Sequence, residues 1–256
     1  MSQYVTEWGR KAADLYAPDY ARRYRQHDEE LSEVEAYRAF CEWLHEICGR
    51  FPGPIDALDL GCGTGRYFAA LKNVNVLVGL DASGPMLAEA ANPVDAGHIT
   101  AKTIQLVEGD ALTQEFPPNS FDLIYSIGVL AEHTPFDSRI VDNIVKWLRP
   151  GGRFAFTTVH PDSTSIPKTP GRLLGRALLP WAPPPLKRWL RTKLTAGGQY
   201  ADESLIVERL GSRFSIESMS RLESEAHLHC LCVAQKAGQA GQAGRAGRAG
   251  GGGHGG

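Results

Sequence analysis

No apolar run in this 256-residue sequence approaches the ~20 residues a helix needs to cross a bilayer. The first residues, MSQYVTEWGRKAADLY, lack the apolar core of a secretory leader. The five cysteines, Cys41, Cys48, Cys62, Cys230 and Cys232, form no CxxC pair and leave one over. Neither a disulfide framework nor a metal site is therefore expected, and a reducing cytoplasm fits. The formal charge of −2 gives no global reason to bind nucleic acid. A chain 43% hydrophobic and 22% charged is neither disordered nor fibrous in bulk, and its length allows one large α/β domain or two small ones.

The chain divides by texture. From Ala237 it reads AGQAGQAGRAGRAGGGGHGG, with no apolar side chain larger than alanine to offset the entropy of ordering, so 237–256 is expected to be a disordered, solvated tail. The front, residues 1–54, reads as a helical cap. Pro18 breaks Tyr4–Arg25 into two short helices, and Ser32 with Glu35 forms a capping box for a third. That helix carries Val34, Tyr37, Phe40, Cys41, Leu44, Ile47, Cys48 and Phe51 on one face at close to a 3.6-residue period, which makes its cysteines packed core thiols. Gly49 and Pro52-Gly53-Pro54 end it.

Across 55–236, short apolar runs at 55–60, 75–80, 103–108, 121–127, 152–159, 213–219 and 227–235 alternate with helical patterns near 65–72, 84–91, 137–148 and 202–211. This rhythm predicts a mostly parallel sheet with helices on both faces, and the short gap before the last run predicts an antiparallel end. Residues 160–200 interrupt the rhythm, as lids and binding loops do. They hold seven Lys/Arg between 168 and 193 against Asp162, interleaved with leucine and tryptophan. Three readings stand for this segment: it attracts an anionic acceptor, lies on an anionic membrane surface, or is a solvated basic face. Nucleic acid is disfavoured because the rest of the folded domain is acidic.

The chemistry concentrates in Ala57-Leu-Asp-Leu-Gly-Cys-Gly-Thr-Gly-Arg66, an apolar strand running into a glycine-rich turn and then a predicted helix. Glycines there let a ligand approach the main chain, and a helix N-terminus offers free N–H groups. Twenty residues past Gly61, Asp81 ends the next strand, where a carboxylate accepts both hydroxyls of a ribose. These features fit any adenosine-containing cofactor. The glycine register separates the choices: Gly61, Gly63 and Gly65 replace GxGxxG, and Arg66 takes the place of the third glycine.

The sequence DLGCGTGR closely resembles motif I of class I S-adenosylmethionine-dependent methyltransferases. Gly109-Asp110-Ala111, Phe121-Asp-Leu-Ile-Tyr-Ser126 and Leu148-Arg-Pro-Gly-Gly152 fall where that family has its third-strand end, its fourth strand and the turn before its fifth. The resemblance is strong over residues 55–160. It implies a Rossmann-like, doubly wound, seven-stranded sheet whose last strand is antiparallel, beneath the helical cap and carrying the lid. It also implies S-adenosylmethionine as cofactor: Gly61, Cys62 and Gly63 face its methionine part and Asp59 orients the turn or binds the amino group. Asp81 holds the ribose, Ala82 and Met86 flank the adenine, Asp110 and Ala111 meet the adenine N6 edge, and Ser126 and Ile127 line the sulfonium.

On the acceptor side, His133, beside Glu132, and His160 follow strands four and five. Each is a candidate general base and equally a partner for a backbone carbonyl. Tyr16 and Tyr20 either close over the cofactor or simply pack. The resulting expectation is transfer of a methyl group to oxygen or nitrogen of a small molecule, with carbon acceptors open. The alternatives are an NAD(P)-dependent oxidoreductase, which Arg66 disfavours, and a non-catalytic binder of S-adenosylmethionine.

Overall fold

Each of the seven apolar runs forms a strand in the computed structural model, which describes residues 6–163, 174, 181–183, 186, 200–224 and 227–238. The strands are β1 (Ile55–Leu60), β2 (Val74–Asp81), β3 (Thr103–Glu108), β4 (Phe121–Ser126), β5 (Leu148–Val159), β6 (Phe214–Glu223) and β7 (Leu228–Lys236). They make one sheet in the order β3-β2-β1-β4-β5-β7-β6. The first five are parallel to one another, and β7 runs antiparallel to both β5 and β6. β5 starts ahead of its expected first residue, 152, because Leu148 pairs with Phe121 and a register shift takes up the turn that contains Gly151 at φ 76°.

The helices are α1 (Glu7–Leu15), α2 (Pro18–Asp28), α3 (Glu35–Cys48), α4 (Gly84–Ala90), α5 (Ser138–Trp147) and α6 (Glu203–Leu210). Pro18 opens α2 at its first turn, where a missing N–H costs nothing. Two local expectations fail. The segment 65–72 forms no α-helix, only a 3-10 turn at Phe68–Ala70, because the Phe68 ring is fully buried beneath Gly65 and Gly79 and the chain must return at once to β2. Ser32 caps no helix: Leu31 is buried, Leu31–Glu33 forms a 3-10 turn, and α3 begins after Val34 without a side-chain cap.

Strand residues alternate between two core layers, as the two-residue period of a strand requires. Leu58, Ile124, Phe154 and Phe156 face α5 and α6, through Ile140, Ile144, Trp147 and Ile206. Ala57, Leu123, Tyr125 and Ala155 face Leu44 and Ile47 of α3 and Leu87 of α4. Among the described residues no helix is long and apolar enough to cross a membrane. The basic residues of the lid expected at 168–193, and all but the first two residues of the tail, lie outside the described residues.

Candidate ligand-binding site

β1 and β4 lie side by side although β2 and β3 intervene in the chain, so connections leave in opposite directions between them and a crevice opens at their carboxyl ends. The turn after β1 fills the floor of that crevice. Gly61, Gly63 and Gly65 have φ of 80°, 55° and 76°, a region that L side chains avoid. At Gly61 the approach is also close, since a Cβ there would sit 2.4 Å from Val129 in the loop after β4. Gly61 and Cys62 both donate their N–H to the Leu80 carbonyl, at 2.8 and 3.0 Å. Gly63 N–H donates to Asp81 Oδ2 at 2.8 Å, and Ser83 N–H to Asp81 Oδ1 at 2.9 Å. Asp81 therefore shapes the turn and the start of α4, with lone pairs left on each oxygen.

A cavity of about 320 Å³ opens above this turn. It gathers Asp59, Gly61, Cys62, Gly63, Asp81 and Ala82 from the ends of β1 and β2, and Met86 from α4. Asp110 and Ala111 after β3, and Ile127 and His133 after β4, complete the set of expected residues that reach it. Burial pushes Asp59 up to about 8, the nearby Asp81 charge adds to this, and the Tyr125 hydroxyl opposes it. Burial also raises Asp81 against the pull of three backbone N–H groups.

Two expected residues do not reach the cavity. Ser126 is fully buried and donates to the Leu60 carbonyl at 2.8 Å, tying β4 to β1. His160 turns to the far side of β5, where its Nδ1 accepts from Asp162 N–H at 3.0 Å and its Nε2 lies 3.5 Å from Glu203. His160, Glu203 and Cys230 bring ligand-type atoms within 4.8 Å of one another, a cluster that no spacing in the sequence pointed to. Of the two front tyrosines, Tyr16 lines the cavity and Tyr20 is exposed.

The helical cap closes the cavity through polar contacts. Thr6, the N-cap of α1, donates its N–H to Asp110 Oδ2 at 2.9 Å and its hydroxyl to the same oxygen. Beyond the end of α1, the Tyr16 hydroxyl meets His133 Nε2 at 3.1 Å, and burial lowers that histidine's proton affinity. Asp28 at the end of α2 has a fully buried carboxylate that accepts from the Thr64 hydroxyl and from Arg66 Nε at 2.7 Å. The Tyr24 ring lies 4.4 Å from the Arg66 guanidinium. Arg66 is thus consumed by the cap. The ligand is left facing Asp59, Asp81 and Asp110, a lining that suits a cationic, donor-rich molecule and repels phosphate.

Several lining residues escaped the sequence reading: Tyr37, Phe40 and Tyr67 on one wall, and Ser224, His227 and His229 from the β6–β7 turn. The one local signal for the last group is the spacing of His227 and His229, which puts both on the same side of an extended chain.

Residues 58–156 match a family model described as a methyltransferase domain. Over 101 residues the chain is 33% identical to the sterol 24-C-methyltransferase of Kluyveromyces lactis, covering 38% of this chain and 26% of that protein. Over 116 residues it is 33% identical to phosphoethanolamine N-methyltransferase 1 of Arabidopsis thaliana, covering 44% and 22%. The chain thus spans about a quarter of the length of these two relatives. Its fold is that of the magnesium protoporphyrin IX methyltransferase of Synechocystis PCC 6803 with bound SAH. That likeness has a TM-score of 0.61 at 17% identity, over 90% of this chain and all of the other.

Proposed function

We propose that this chain, whose residues 58–156 match a methyltransferase-domain model and whose fold is that of a methyltransferase, transfers a methyl group from S-adenosylmethionine to oxygen or nitrogen of a small-molecule acceptor. The observation that carries this reading is the cavity at the switch point: a glycine turn for a floor, the acidic side chains Asp59, Asp81 and Asp110 in its lining, and Arg66 already paired with Asp28. S-adenosylmethionine offers an ammonium, a sulfonium and two ribose hydroxyls to such a lining. A dinucleotide would set two phosphate charges against the same acids, where S-adenosylmethionine sets one carboxylate beside its ammonium, with no unpaired Lys or Arg among the described lining residues to receive them.

In this reading the lone pairs left on Asp81 accept from the ribose hydroxyls, and Asp59 receives the amino group. Gly61, Cys62 and Gly63 leave room for the methionine part, Ala82, Met86 and Ala111 flank the adenine, and Ile127 borders the sulfonium. Asp110 reaches the adenine amine when Thr6 yields one of its lone pairs. Ser126 acts indirectly, by holding β4 against β1. The bound cofactor supplies a methyl group on a leaving group that departs as a neutral thioether. The protein contributes position and exclusion of water, and the cap closing over the cavity does both. His133, held by Tyr16 and low in proton affinity, is the base for an acceptor that must lose a proton. The free cysteines suit a reducing cytoplasm.

The test is calorimetric titration with S-adenosylhomocysteine, with NADH alongside, followed by transfer of a labelled methyl group. Wild type binds S-adenosylhomocysteine, and Asp81→Ala weakens it on the order of 100-fold through two lost charge-assisted hydrogen bonds. Binding of NADH in its place would overturn the reading.

A further inference from the structure

One wall of the cavity is left unused by the cofactor roles above. Tyr37 and Tyr67 stack with ring centroids 5.7 Å apart, and Phe40 meets Tyr67 edge-on at 6.2 Å. Leu31 and Val34 extend the same apolar surface. His229 joins it, its ring edge-on to Phe40 at 5.3 Å. This wall is aromatic, and the cation beside it, Arg66 next to Tyr67, is already paired with Asp28.

The hydrogen bonds around His229 define what it offers. Ser224 Oγ accepts from His227 N–H at 3.1 Å and donates to the His227 carbonyl at 3.0 Å. The same oxygen lies 3.2 Å from His229 Nε2. With its single proton spent on the nearer carbonyl, Ser224 receives the hydrogen of Nε2. A neutral imidazole with hydrogen on Nε2 presents a bare lone pair at Nδ1. Among the described residues that Nδ1 has no hydrogen-bond partner, and His229 is 8% exposed on a ring that lines the cavity. Burial and the neighbouring His227 push His229 down to about 4, so the ring stays neutral at physiological pH.

Building on the methyltransferase reading, we propose that this wall is the acceptor site, and that the acceptor is a neutral aryl compound whose O–H donates a hydrogen bond to Nδ1 of His229. The rings of Tyr37, Phe40 and Tyr67 provide faces and edges for an aromatic body. The orphaned nitrogen selects a donor, because a ligand without one leaves a buried acceptor unsatisfied. A neutral imidazole gives no advantage to a carboxylate.

The test uses an isosteric pair, p-cresol and p-xylene, in which a methyl group replaces the hydroxyl. Each is titrated by ligand-observed NMR into the full-length protein, with and without S-adenosylhomocysteine. The preference for p-cresol over p-xylene in wild type falls at least about tenfold in His229→Leu, with S-adenosylhomocysteine affinity unchanged. His229→Asn, whose amide oxygen can stand near the Nδ1 position, keeps most of the preference. Independently of any variant, 15N spectra of the wild-type histidines show His229 protonated at Nε2, and its Nδ1 resonance moves with p-cresol but not with p-xylene. An equal preference in wild type and His229→Leu, no binding of either probe, or hydrogen on Nδ1 would each overturn the proposal. Loss of S-adenosylhomocysteine binding with the His229-dependent preference intact sinks the cofactor reading and leaves the aryl site standing.

Discussion

Asp59 holds its proton at neutral pH because β1 buries it beside Asp81. An acid with raised proton affinity in the fold adds stability that is complete below its unfolded pKa of 3.8 and is lost as pH rises through about 8. A cationic ligand prefers the carboxylate, so binding expels the proton. Affinity for S-adenosylmethionine is therefore expected to rise between pH 6 and about 8, with proton release. Calorimetry in buffers of different ionisation enthalpy measures that release directly. It should vanish in Asp59→Asn, and its absence from wild type would refute the assignment. Gly61 permits a second test at this scale. Alanine there combines a left-handed backbone with overlap onto Val129, at a cost of roughly 2–4 kcal/mol in denaturant unfolding. Val129→Ala in the same chain should return the steric part only. The place of both residues at the strand end and in the turn was legible in the sequence because strand and turn are encoded within ten consecutive positions.

Among the elements, α2 carries the clearest energetic consequence. Removing Asp28 leaves Arg66, whose side chain is 18% exposed, without its partner. Asp28→Ala should cost about 3–5 kcal/mol, as broken buried ion pairs do. Asp28→Leu combined with Arg66→Met should recover most of it, and equal losses in the single and double variants would exclude the ion pair as the cause. α1 is different, since it covers the cavity while contributing little buried apolar surface; Gly9 alone of its residues is buried. Deleting residues 1–16 should leave the fold intact and speed S-adenosylhomocysteine dissociation about tenfold, measured by stopped flow. The strands were readable because each is a compact run of apolar residues between turn formers. The segment 65–72 misled because its composition suits a helix. Burial of Phe68 under Gly65, and the reversal at Asn73 with φ 57°, override that propensity within eight residues. The capping box misled in the same way: its residues are present, but Leu31 sinks into the core and shifts the start of α3.

For the molecule as a whole, one sheet separates two core layers and the cavity lies where the sheet changes direction, so ligand and fold are thermodynamically linked. Saturation at 100 times Kd should add about 2.7 kcal/mol to stability. Hydrogen exchange should slow in α2 as well as in the glycine turn, because Asp28 joins them; protection confined to the turn would show that the cap folds independently. The cavity residues at the glycine turn and the ends of β1 to β3 were legible from local motifs, whereas the aromatic wall was not. That wall comes from residues 31–40, Tyr67 and 224–229, which only the packing of α3 beneath the sheet's antiparallel end brings together. His160 shows the converse: its place at the end of a parallel strand suggested the site, but the ring rotates toward α6 and meets Glu203. The segment from Thr6 to Tyr16 is bolted at both ends, to Asp110 at one and to His133 at the other. Both bolts are hydrogen bonds that water can replace, and the segment lifts clear only when both ends release. On the proposed methyltransferase reading, turnover is expected to count openings of this segment, and the measurement that checks it is a burst of product in the first turnover.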